Sequence, residues 1–270
     1  MPQSGLISGR HHLGDETTMS DYRQPGYGAP ARPMGADATM DLGLRSYMLG
    51  VYNYMGLGLL VTAAAAYGLF TASFVEANGQ IVGLTSLGQT LFTGPLMWVI
   101  MLAPLAFVLV LSFGINKLSA GTAQVLFWAF AAVMGASLSS IFAVYAEGSI
   151  FRVFLITAGM FGAMSLYGYT TNRDLTSIGG FLTMGLFGLI IASVVNIFWP
   201  SGALNFAISV VGVVIFVGLT AYDTQKIKNS YYEGEAAEFT TKKQIMGALS
   251  LYLDFINLFI MLLRLVGERR

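Results

Sequence analysis

The chain has 270 residues, of which 55% are hydrophobic and only 10% charged, with a mean hydropathy of +0.67. A soluble domain is about a quarter charged, so this composition cannot cover a globule with polar surface and marks an integral membrane protein. Lysine plus arginine balances aspartate plus glutamate at 14 each, which argues against a nucleic-acid partner. The absence of cysteine excludes disulfides, thiolate chemistry and cysteine-ligated metals.

Residues 1–40 are rich in Gly, Pro, Ser and Arg and lack apolar periodicity. They read as a disordered N-terminal tail with no signal-peptide h-region, ahead of a transmembrane domain over 41–270. A spanning helix needs about 20 mostly apolar residues. Seven segments qualify: Tyr47–Phe74, Pro95–Phe113, Ala123–Tyr145, Phe151–Tyr169, Ile178–Phe198, Leu204–Tyr222 and Ile245–Val266. Turn chemistry separates them, as at Ala77-Asn78-Gly79 and Glu147-Gly148-Ser149. Trp98 and Trp199, near span ends, suit the interfacial belt.

Basic residues set the expected orientation. With the N-terminus cytoplasmic, the inner loops hold Lys117, Arg173, Lys226, Lys228, Lys242 and Lys243, and the outer loops only Arg152. Seven spans then leave Arg269 and Arg270 outside, against the rule. The bundle is expected to pack through small residues, which recur every four positions at Ala131, Gly135 and Ser139, and at Gly159 and Ala163.

Most ionisable residues lie in loops or at span ends, and Asp254 is the exception. It sits about nine residues, or about 13 Å, into the last span. Its helix face reads Gly247, Ser250, Asp254, Asn257 and Met261, a stripe that should face the bundle interior. A carboxylate in hydrocarbon is costly and marks a functional site. Asp223 lies one to two turns from the inner end of the preceding span, which extends to about Lys228. Consecutive spans can be antiparallel neighbours, so the two acids can meet. Two buried carboxylates held together cannot easily both ionise; they share one proton near neutrality and form a pH sensor. Doubly ionised, the pair opens or takes a hard cation such as calcium, with Asn257, Thr220 and Tyr222 as further oxygen donors.

Three readings compete. The first is a pH-sensitive calcium leak channel, the second a proton/calcium exchanger, the third a non-conducting regulatory membrane protein that binds partner helices. Enzymatic readings fare badly. Tyr222-Asp223 matches half of an intramembrane aspartyl protease pattern, but Asp254 follows Leu253 and lacks the glycines. No histidine lies in any span, and no glycine-rich phosphate loop occurs. No obligatory cofactor is expected beyond calcium as the bound or transported ion. The expected partners are the lipid bilayer, calcium and protons.

AYDTQKIK (Ala221 to Lys228) followed by ALSLYLDFINLFIMLLR (Ala248 to Arg264) resembles the signature of the transmembrane Bax inhibitor motif family, also called the Bax inhibitor-one family. The resemblance extends from about residue 41 to the end and is densest in the last two spans. It implies an all-α membrane fold of seven transmembrane helices, with the last helix central and surrounded by the other six. It also implies pH-dependent calcium leak, with the family's sensor aspartates falling on Asp223 and Asp254. Bacterial members are thought to latch that pair with an arginine at the inner end of the second helix. Here the second span ends FGINKLSAG, so Lys117 is the nearest cation. Lysine offers a point charge in place of a bidentate fork, and a latch on Lys117 is the weaker one. Compact length points to a bacterial inner membrane.

Overall fold

A computed structural model describes residues 34–77 and 80–270, with side chains from Leu42 onward. In chain order the elements are α1 (Met34–Ser73), β1 (Phe74–Ala77), β2 (Gln80–Leu84), α2 (Ser86–Phe92), α3 (Leu96–Gly114), α4 (Ala120–Leu138), α5 (Ile141–Val144), α6 (Glu147–Thr170), α7 (Thr176–Phe198), α8 (Gly202–Asn229) and α9 (Ala237–Val266). Among the described residues seven spans are long and apolar enough to cross a membrane, with α4 and α5 counted as one. The expected tail lies mostly outside the described residues, and α1 begins at Met34.

The last helix is the axis of the bundle. Of its most apolar stretch 72% is buried, against 11–33% for the other six spans. Helices α8, α1, α6, α4 and α3 pack on it directly, and α7 packs on α8. Lipid gives no hydrophobic drive between helices, so close approach depends on small residues. Ala131 is fully buried, and a Cβ at Gly135 would meet Thr62 O and the Ala65 methyl on α1. Gly168 touches the backbone of Ala221, which brings α6 onto α8. The expected pair Gly159 and Ala163 instead faces outward, and a Cβ at Gly159 would meet nothing. The buried stripe of α6 runs through Thr157, Phe161, Ser165 and Gly168, the face turned toward α8 and α9.

Three local departures from the expected spans have simple causes. The third span breaks after Leu138, where Ser139 bonds back to Ala136 O through both its hydroxyl (2.7 Å) and its N–H (3.3 Å), the short-range competition that interrupts helices. Strands β1 and β2 pair antiparallel and α2 follows them; Val75 pairs with Gly83, and Thr85 Oγ1 caps α2 by accepting from Gly88 N at 3.1 Å. Helix α9 starts eight residues before Ile245, on a polar first turn where Lys242 pairs with Glu238 at 3.1 Å.

Side chains also fix the helix starts. Ser119 caps α4 and Ser201 caps α8. Asp174 Oδ1 accepts from Thr176 Oγ1 (2.6 Å) and Thr176 N (2.9 Å) before α7, and these two donors hold its carboxyl below the usual carboxylate range. At the opposite end, Arg270 meets both Glu76 and Glu147 (3.2 Å to the latter), donates to Tyr145 O at 3.3 Å, and lies over the Phe70 ring. One of the two arginines that ran against the charge rule is therefore neutralised by local acids. The other, Arg269, shares a polar cavity of about 690 Å³ with Arg264, Asn196 and Asn205.

Candidate functional site

Helices α8 and α9 make the most extensive helix–helix contact in the described chain. Two glycines set their register. Gly247 on α9 lies against Ile227 of α8, and Gly212 on α8 lies against Met261 of α9. This antiparallel register puts Asp254 level with Thr220 and Asp223 level with Ser250, about one turn or 5 Å apart along the axis.

The stripe expected on α9 is largely inside the bundle. Gly247, Asp254 and Met261 are buried, and Ser250 and Asn257 are half-buried. Asp254 is 5% exposed, and its Oδ2 has no hydrogen-bond partner among the described residues. A buried carboxylate oxygen is nearly always partnered, so this one stands out. Asp223 is half-buried and lies about one turn from Asp254 along the axis in this register, with the exposed Lys226 three residues on.

Three other polar residues of Ala221 to Lys228, namely Thr224, Gln225 and Lys228, hold α8 to its surroundings. Thr224 Oγ1 lies 3.0 Å from Ser165 Oγ on α6, which lies 2.6 Å from Tyr52 OH on α1. Gln225 accepts from Leu175 N (2.8 Å) and donates to Arg173 O (2.7 Å), pinning the α6–α7 loop. Lys228 Nζ donates to Tyr169 O at 2.7 Å.

The other anticipated residues are placed as follows. Thr220 is level with Asp254, but its hydroxyl proton goes to Phe216 O at 2.7 Å, leaving only its lone pairs for a cation. Tyr222 turns the other way: its ring fills the space over Gly179 on α7, a glycine hole one helix position round from Asp223. Lys117 is exposed in the turn after α3, and none of the described ion pairs joins it to either aspartate. The i, i+3 spacing of Asp223 and Lys226 is the sequence signal that puts this cation near the acid. Among the described residues no three His, Cys, Asp or Glu side chains gather as a metal cage. A cation here would depend on two carboxylates plus neutral oxygens.

Residues 44–270 match the family model described as Inhibitor of apoptosis-promoting Bax1. The chain is similar to the protein RP147 of Rickettsia prowazekii, at 50% identity over 232 residues, covering 86% of this chain and 93% of that one. It is 48% identical over 230 residues to the inner membrane protein YbhL of Escherichia coli, covering 84% and 94%. A Caulobacter vibrioides protein is 44% identical over 260 residues, covering 93% of this chain and all of its own length.

Proposed function

The chain belongs to the Bax inhibitor-1 family, and from that premise we propose that it is a pH-sensitive calcium leak channel gated by Asp223 and Asp254. The observation that carries this reading is the Asp254 carboxylate. It is buried on the central helix, has an oxygen without a partner among the described residues, and lies about one turn along the axis from a second acid on the adjoining helix.

While the pair holds a proton, the two acids can share it and α9 stays seated. When both ionise, like charges in a poorly screened setting repel. The repulsion loosens α9 against α8 and leaves two negative oxygen donors for a hard cation. Calcium takes six to eight oxygens, so most ligands must be water, the Asn257 amide oxygen one turn along α9, and neutral oxygens of α8 such as Thr220. The weak latch falls to Lys117, which has to move from its exposed place after α3 to reach the pair. The membrane is the bacterial inner membrane, as the name of YbhL suggests. The N-terminus is cytoplasmic, placing Lys117, Arg173, Lys226, Lys228, Lys242 and Lys243 on that side.

The test is calcium flux into proteoliposomes from about pH 6 to about pH 8, for the wild type and for Asp254→Asn, Asp223→Asn and Lys117→Gln. Flux should rise with pH in the wild type and lose its pH dependence in either aspartate variant. Retention of the wild-type profile by both aspartate variants ends the sensor reading; retention by Lys117→Gln removes only the latch. Uphill calcium movement under an imposed pH gradient would make the protein an exchanger, and no flux at any pH would make it a non-conducting regulator.

A further inference from the structure

Away from the aspartates, α1 and α6 both pack on α9 and leave a groove between them. It has a volume of about 510 Å³ and is lined by Arg45, Met48, Leu49 and Tyr52 from α1 and by Phe161, Gly162, Ser165 and Tyr169, among others, from α6. From Arg45 to Tyr52 it follows α1 for about 10 Å, and from Phe161 to Tyr169 it follows α6 for about 12 Å. One leaflet of hydrocarbon is about 15 Å deep. The groove therefore occupies one leaflet, and its mouth lies at the end where α1 enters the membrane.

Its lining is graded. Arg45 is exposed at the mouth, three residues inside the start of the apolar stretch at Leu42. Lys228 brings a second positive charge to the Tyr169 side, with its ammonium 5.1 Å from the centre of that ring. Glu233 shares the neighbouring pocket with Lys228, so Arg45 is the cation of the groove itself. Below the mouth the walls are apolar, and the far polar groups, Tyr52 OH and Ser165 Oγ, satisfy each other at 2.6 Å. Water cannot fill an apolar groove open to hydrocarbon, but an acyl chain can. A basic residue at the mouth of a groove between helices selects an anionic headgroup.

We propose that this groove is a binding site for an anionic phospholipid, with an acyl chain between α1 and α6 and the phosphate on Arg45. The site is independent of whatever passes the aspartates. Its inner wall is the first hydroxyl of the chain Tyr52–Ser165–Thr224, which ends on α8 next to Asp223.

The full chain is reconstituted in vesicles of equal parts phosphatidylglycerol and phosphatidylcholine, extracted in mild detergent, and its retained lipid read by native mass spectrometry. The wild type should retain phosphatidylglycerol with about fivefold enrichment, the scale of one arginine at a charged membrane surface. Arg45→Gln should keep a lipid but lose the enrichment, and Arg45→Lys should restore most of it. Gly162→Phe should lose the lipid, because a side chain built at Gly162 meets no protein atom and grows into the groove. Arg45 is exposed, so its variants keep the fold even if the phenylalanine variant does not. Retained lipid in the bulk ratio for wild type and both Arg45 variants overturns the proposal and leaves annular lipid only.

Discussion

The hydroxyls of Tyr252 and Thr62 lie 2.6 Å apart at the centre of the bundle, and they join α9 to both α1 and α4. Thr62 Oγ1 also lies 2.8 Å from Ala131 O and 2.9 Å from Gly58 O. Carbonyls only accept, so the threonine proton goes to one of them and Tyr252 must be the donor to Thr62. The tyrosine ring is fully buried, edge-on to Phe130 and Phe127. This knot sits two residues before Asp254 and fixes the rotation of α9 about its own axis.

The direction of that hydrogen bond predicts an asymmetry. Tyr252→Phe removes a donor and keeps the ring, at a cost of about 1 kcal/mol. Thr62→Val leaves a buried tyrosine hydroxyl with nothing to donate to, at a cost of about 1–3 kcal/mol. Equilibrium unfolding in mixed micelles measures both. A phenylalanine variant more destabilised than the valine variant would reverse the assigned donor.

Two glycines of α6 should respond in opposite directions to the same change. Gly168→Ala forces a methyl into the Ala221 backbone and pushes α6 off α8; overpacking of this kind costs about 1–3 kcal/mol. Gly159→Ala meets open space on an exposed face and should gain about 0.5–1 kcal/mol from the alanine helix preference. Thermal melting of the two variants in one detergent tests the pair; a stabilised Gly168→Ala would mean that α6 and α8 do not touch there.

The spans were legible because the bilayer imposes a length and a hydropathy that the sequence must display, and the centrality of α9 was legible through the motif that contains Asp254. Which face of a span packs was far less so. Small residues at four-residue spacing occur on both the buried and the lipid-facing sides of α6, and lipid accepts glycine as readily as a neighbouring helix does. Periodicity therefore could not separate Gly159 from Gly168. The pairing of β1 with β2 and the break at Ser139 were missed because local hydrogen bonds decide them, and these leave no hydropathy signal. Tyr222 was misplaced because a single helix step of about 100° separates the site face from the α7 face, and only the hole at Gly179 shows which way the ring turns.

Asp254 should limit stability as well as mark the site. A buried carboxylate oxygen without a hydrogen bond carries a desolvation cost, and a neutral amide of the same shape removes the charge. Asp254→Asn is expected to melt about 2–4 °C above wild type at neutral pH, the shift for about 1 kcal/mol in a chain of this size. Asp223→Asn should change little, since Asp223 is half-buried and has Lys226 nearby. A lower melting temperature for Asp254→Asn would show that the carboxylate has a partner in the membrane, such as a bound water or cation, and that it stabilises the closed bundle.

Arg270 closes the other end of the molecule, and the geometry of its side chain is specific to arginine. One guanidinium spans Glu76 after α1 and Glu147 at the start of α6, donates to Tyr145 O, and stacks over Phe70. Nearby, Glu268 O accepts from Ala146 N at 3.0 Å and Arg270 N donates to Val144 O at 3.0 Å, so residues 268–270 lie along the α5–α6 connection like an added strand. Single exposed ion pairs contribute little, but a fork that meets two acids at once is a network. Arg270→Ala should cost about 1–2 kcal/mol and raise amide exchange over 144–149 and 267–270. Arg270→Lys should recover less than half of the loss, because a point charge cannot reach both acids in the same geometry. The difference from wild type should shrink in molar salt, where these half-exposed pairs are screened. Full rescue by lysine would reduce the clasp to net charge alone, and unchanged exchange in Arg270→Ala would show that the backbone bonds hold the segment without it.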